Sequence, residues 1–150
     1  MTDVNISILK ATVLDEVGRL TNYAGSKMDG EGAYERVSTT GSDKDMLGQF
    51  WQSGCDGVTE ALKRFIKTPS TATDRYAVTL ELSGSYDTSL TASLQANLQS
   101  YLTLYIVSRW YKLTNKGDAE SYATEAAVQL DEAMSKVFYK KKPTRKSIRH

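Results

Sequence analysis

The chain has 150 residues, 40% of them hydrophobic and 25% charged, with a formal net charge of +1. That length lets one domain bury a core without disulfide or metal staples. A single cysteine, Cys55, rules out an internal disulfide, and one Cys with one His cannot complete a zinc site within the chain. No run approaches the length of a membrane span, and Met1 to Lys10 lacks the basic and apolar blocks of a signal peptide. A protein made in a cytosol-like compartment is therefore expected.

Taken in chain order, Ile6, Leu9, Val13, Val17, Leu20 and Ala24 recur at steps of three and four. This spacing places them on one face of a first helix, capped by Thr2 or Asn5 and stopped at Gly25. Asn5-Ile6-Ser7 matches a glycosylation acceptor but reads as helix-start chemistry. Gly25, Gly30, Gly32 and Gly41 then interrupt helix, with Tyr34–Val37 as a short extended piece. Ser42-Asp43-Lys44-Asp45 reads as the start of a second helix, its acids set against the positive end of the helix dipole. Its stripe is Leu47, Trp51, Cys55, Val58, Leu62 and Phe65, widened by Met46 and Phe50. Gly48, Gly54 and Gly57 inside this helix point to close helix approach or a bend.

After a loop at 68–74, Tyr76, Val78, Leu80 and Leu82 alternate with Ala77, Thr79 and Glu81, the period of a strand. One strand cannot stand alone. Its partner is expected in the 66–73 segment, in the 34–38 segment, or in another subunit, the last making Tyr76, Val78, Leu80 and Leu82 subunit-interface residues. Asp87 or Ser89 caps a third helix carrying Leu90, Leu94, Leu98, Tyr101, Tyr105 and Trp110, with Leu102, Ile106 and Leu113 beside them. An apolar face this wide is buried on several sides. Asn115-Lys116-Gly117 ends it, and Asp118 caps a fourth helix with the stripe Tyr122, Ala126, Leu130, Ala133 and Val137, running to about Tyr139. The short link makes helices three and four an antiparallel hairpin. The fold class expected is mainly α: a four-helix bundle-like domain over 1–139 with a small β insertion between helices two and three, followed by a basic tail over 140–150.

That tail holds Lys140, Lys141, Lys142, Arg145, Lys146 and Arg149 and no acid, leaving the rest of the chain with 13 basic against 18 acidic residues. An acidic body with a basic end suggests an acidic partner for the end, nucleic acid or an acidic protein surface, unless the tail only solubilises. Catalytic chemistry is harder to draw. Cys55 sits on an apolar stripe with no histidine to activate it, since His150 lies in the tail. Asp29-Gly30-Glu31-Gly32 lacks the alternating ligands of a calcium loop, and Gly25-Ser26-Lys27 lacks the order of a phosphate loop. The carboxylate pairs Asp15/Glu16, Asp43/Asp45, Glu120/Glu125 and Asp131/Glu132 lie mostly off the apolar stripes, as solvated faces do. No enzyme and no cofactor are expected.

The order helix, loop, helix, β-bearing insertion, helical hairpin, basic tail resembles the head–tail connector (adaptor or head-completion) proteins of tailed bacteriophages. The Ser42–Ile66 helix, the Arg75–Leu82 strand and the Leu90–Leu113 helix with its Ile106-Val107-Ser108-Arg109-Trp110 stretch carry the likeness. The resemblance implies a virion structural protein, made in the host cytoplasm and placed in the neck. It implies a dodecameric ring docked under the portal, in contact with tail or neck proteins, around the DNA channel and away from membranes. The six tail cations would meet portal or DNA. The alternative is a small helical nucleic-acid-binding protein acting through the same tail.

Overall fold

The computed structural model describes residues 1–27, 43–69 and 73–143, with side chains described over 1–22 in the first span. These residues are mainly helical, with four helices and a small three-stranded antiparallel sheet. Strand β1 (Thr2–Leu9) leads into helix α1 (Lys10–Lys27); helix α2 (Lys44–Leu62) is followed by β2 (Ile66–Thr68) and β3 (Arg75–Leu82). A 3-10 turn at Thr88–Leu90 opens helix α3 (Thr91–Thr114), and α4 (Lys116–Lys136) closes the hairpin. The extended segment Tyr34–Val37 and the glycines 30, 32 and 41 lie outside the described residues.

The largest correction is at the N-terminus, where β1 takes the first turn of the expected first helix, Ile6 to Leu9, and the helix itself begins at Lys10. Val4, Ile6 and Ile8 are buried in alternation, while Leu9 is exposed. β1 runs antiparallel to β3 in a register that sets Val4 opposite Leu80, Ile6 opposite Val78 and Ile8 opposite Tyr76. The apolar faces of the two strands thus coincide, and a slip of β1 by one residue would turn its apolar face outward. β3 is the central strand, between β1 and β2. Of the partners expected for it, the 66–73 segment supplies β2 at Ile66–Thr68; the other neighbour, β1, is not among them. Tyr76, Val78, Leu80 and Leu82 accordingly face this chain's own interior, each nearly inaccessible, rather than a subunit boundary.

The outer face of the sheet is polar: Thr79 Oγ1 donates to Asn5 Oδ1 at 2.9 Å, Arg75 to Ser7 Oγ at 3.1 Å, and Lys67 pairs with Asp3 at 3.0 Å. Asn5 and Ser7 therefore belong to strand chemistry, not to a helix cap. At the sheet edge, the Ser7 N–H donates to Gln95 Oε1 of α3 at 3.0 Å.

α3 is the hub and packs against α1, α2, α4 and β1. Leu94, Leu98, Leu102, Ile106, Val107 and Tyr111 are all fully buried, which accounts for the wide apolar face read in the sequence. Helices α3 and α4 form an antiparallel hairpin: Asn97 meets Gln129 and Glu132, while Tyr111 meets Tyr122 edge-on at 5.2 Å further along. The break between them is at Asn115, whose amide donates to Asp118 Oδ2 at 2.8 Å; Gly117 lies inside the first turn of α4 rather than ending α3. α1 also runs past Gly25 to Lys27.

Helix α2 buries Leu47, Phe50, Trp51, Cys55, Val58 and Leu62 of its expected stripe, with Gly54, but it ends at Leu62, so Phe65 lies half-buried in the following turn, and Met46 is exposed. The glycines explain how it seats. A Cβ at Gly54 would come within 3.0 Å of Leu102 Cδ2 and 3.2 Å of Tyr105 Cδ1, so its absence lets α2 lie close on α3. At Gly57 the nearest atom is the Tyr101 hydroxyl, at 2.9 Å. The sheet is tied to α2 by Thr59 Oγ1 and the Tyr76 hydroxyl at 2.9 Å.

Candidate functional site

Cys55 is the one nucleophile that the sequence raises, and the fold places it in the core. Burial, with Asp56 adding to it, pushes its thiol up to about 12, which leaves essentially no thiolate at neutral pH. Among the described residues, no group of three or more His, Cys, Asp or Glu side chains is arranged to hold a metal ion. No helix among them is long and apolar enough to cross a membrane.

The buried polar groups are mostly structural. Asn97 donates to Gln129 Oε1 at 2.8 Å and to Glu132 Oε2 at 3.0 Å, and accepts from Lys136 Nζ. Lys136 also donates to Ser93 Oγ at 2.6 Å. This network pins the register of the α3–α4 hairpin, because sliding the helices would strand every one of its members. A groove of about 460 Å³ with mixed walls runs beside it between α1, α3 and α4, lined by Glu16, Arg19, Gln99 and Gln129 together with Leu20 and Leu104. Arg19 and Glu16, which face each other in its wall, are already paired at 3.0 Å.

Two surface features stand apart from this polar background. The first lies where the start of α2 meets the end of α3. Arg109 is spread over the rings of Phe50, 5.7 Å from its centroid, and Tyr105, at 6.0 Å. Two shallow depressions flank it, of about 210 and 300 Å³, and both include Arg109 and Lys112 in their walls. One is completed by Phe50 and Leu113, the other by Tyr101, Tyr105, Leu130 and alanines of α4. Leu113 is 61% exposed, and Met46 stands exposed one turn before Phe50 on α2. Among the described residues neither Arg109 nor Lys112 has a carboxylate within ion-pair distance. Aromatic, Arg and Met side chains around an apolar centre are the composition of a protein–protein contact. Sequence reasoning misses this outcrop as a unit, although Met46, Phe50, Arg109 and Leu113 each stand on a helix that it identifies.

The second is the root of the basic tail. Tyr139 and Lys141 are stitched to the chain before α3: Asp87 N–H donates to Tyr139 O at 3.1 Å and Lys141 N–H to Ser85 O at 2.7 Å. Tyr86 and Lys140 face each other across this short antiparallel bridge. Lys140, Lys141 and Lys142 are exposed, whereas Arg145, Lys146 and Arg149 lie outside the described residues. The helical body thus holds the chain to at least Lys141. The expected interface residues Tyr76, Val78, Leu80 and Leu82 join neither feature, being core.

Comparison with protein-family models, with curated proteins and with solved structures finds no match.

Proposed function

We propose that this chain is a non-catalytic structural protein that works by assembling, and specifically a ring-forming head–tail connector of a tailed-phage virion. In this reading it docks on the portal and joins capsid to tail around the DNA channel. The observation that supports it most is the surface where exposed Met46 and Leu113 flank Arg109 and Lys112, over the buried Phe50 ring and beside Tyr105; its two cations pair with no described carboxylate. Such a surface is stabilised by being covered. Because β3 finds both neighbours within its own chain, assembly in this reading proceeds through helix faces and not through exchange of strands. Two different surfaces meeting head to tail close into a ring when the rotation between copies allows it. Native mass by light scattering, with images of any heavy species, tests the reading. Closed rings support it, and a chain that stays monomeric at every concentration counts against it.

A second reading, a small nucleic-acid-binding protein acting through its basic end, is favoured by one observation. The lysines at the tail root are held on the body at a fixed place.

A further inference from the structure

We infer that the tail root is half of a composite cationic surface, completed by Arg64 from the far end of α2, and that its ligand is the phosphodiester backbone of a nucleic acid. Such a surface deepens the nucleic-acid reading, on which it rests, and is independent of assembly.

The fold brings the two halves together. The turn after α2, Lys63 to Phe65, is fixed by the Phe65 N–H to Leu62 O at 2.8 Å and by the Glu81 N–H to Phe65 O at 2.7 Å. The Phe65 ring meets the Phe138 ring edge-on at 5.5 Å. That contact sets the turn carrying Arg64 against the start of the segment Tyr139 to Lys142. Two strands and two helices separate these parts along the chain, so sequence inspection does not join them.

The charges at this end are of two kinds. Lys63 is held by Glu60 at 2.7 Å, and Lys67 by Asp3 at 3.0 Å. Arg64, Lys140, Lys141 and Lys142 are exposed and, among the described residues, have no carboxylate within ion-pair distance. Two carboxylates lie nearby: Asp87, which accepts from the Ser89 N–H at 3.1 Å and the Ser89 hydroxyl at 2.6 Å, and the half-buried Glu81 on β3; neither is within ion-pair distance of these four cations. These four cations therefore share one end of the molecule. Side chains alternate along extended chain, so Lys140 and Lys142 fall on the same side, about 7 Å apart at roughly 3.4 Å per residue. That separation suits successive phosphates along one strand. An acidic protein would also neutralise four cations, but two large aromatic side chains stand exposed in the same place, Phe138 at 60% and Tyr139 at 51%. Rings beside cations are what a nucleic acid strand uses for base stacking.

The test is binding of the full chain to labelled DNA, duplex and single-stranded, of arbitrary sequence, measured by anisotropy over a series of salt concentrations. Each phosphate contact contributes about 0.9 to the slope of log affinity against log salt on duplex DNA. Arg64→Gln is expected to lower that slope by about 0.9, and the triple substitution K140Q/K141Q/K142Q by about 2.7. The Arg64→Gln loss should persist in a background carrying R145Q/K146Q/R149Q, because it belongs to the body and not to the end of the chain. Tyr139→Ala should weaken single-stranded binding more than duplex binding. An affinity and slope indifferent to Arg64→Gln, in a variant whose thermal unfolding matches the parent, would overturn the composite surface while leaving a tail-only interaction standing. No DNA binding at all, or equal affinity for polyglutamate, would overturn both this inference and the nucleic-acid reading beneath it.

Discussion

Tyr111 has the least comfortable side chain in the core. It is fully buried against Tyr122, and its hydroxyl has no hydrogen-bond partner among the described residues. An unpaired buried hydroxyl costs about 1–3 kcal/mol. Tyr111→Phe is therefore expected to leave stability unchanged or raise it by about 1 kcal/mol, read as the urea midpoint at constant slope; a large loss would mean that the hydroxyl has a partner after all. The glycines of α2 give a graded comparison at the same scale. Alanine at Gly48 meets only Lys10 Nζ at 3.6 Å and should gain the helix preference of about 1 kcal/mol. At Gly57 the obstacle is the movable end of Tyr101, so the gain and the strain should nearly cancel. At Gly54 the obstacle is the packed Leu102 and Tyr105, and overpacking of about 1–3 kcal/mol should win. The predicted stability order of the three variants is Gly48→Ala, then Gly57→Ala, then Gly54→Ala. Cys55 sets a pH dependence. With its thiol raised from 9.0 to about 12, the folded state keeps a proton that the unfolded state releases. Its contribution is complete below pH 9 and is lost as pH climbs from 9 towards 12, with a slope of up to about 1.4 kcal/mol per pH unit. Burial raises Tyr76, Tyr101, Tyr111 and Tyr122 as well, and these add to the decline once pH passes 10. Cys55→Ala should flatten the part that begins near pH 9, a change visible in unfolding midpoints measured from pH 8 to 10.

Among the elements, all four helices are legible in the sequence and the strand that precedes the first is not, for a physical reason. The stripes of α2, α3 and α4 repeat over many turns, and no other period fits them. At the N-terminus, Ile6, Leu9 and Val13 satisfy helical spacing, but Val4, Ile6 and Ile8 equally satisfy a period of two. The ambiguity is settled by β3, whose second edge pairs its backbone N–H and C=O groups with β1, and a tertiary demand of that kind leaves no local mark. Single substitutions separate the two readings. Ile6→Ala should cost about 2–5 kcal/mol, and the exposed Leu9→Ala much less than that. A helix with both residues on its buried face would lose stability at each. The same pairing changes what a deletion would do. The segment Thr73–Leu82 is one such deletion. In the structure that segment contains the central strand, whose four apolar side chains lie in the core, so unfolding is the expected result, seen as loss of the cooperative thermal transition. The candidate surfaces are legible only in pieces. Arg109 and the tail lysines are visible in the sequence, but the stacking of Arg109 on Phe50 and the seating of Phe65 on Phe138 join distant parts of the chain.

For the whole molecule, the question is what covers Met46, Arg109, Lys112 and Leu113. If the chain is a connector, the cover is another copy of itself or its docking partner in the virion neck, and the cations of the tail root act separately. The most direct measurement is the solution mass of the full chain by light scattering over rising concentration, with negative-stain images, beside the double substitution R109E/L113D. Both residues are exposed, so the variant should fold as the parent does. Assembly through this outcrop predicts a heavy species that resolves as closed rings in the parent and a folded monomer in the variant. A parent that remains monomeric throughout, or an assembly that forms equally well in the R109E/L113D variant, would contradict it.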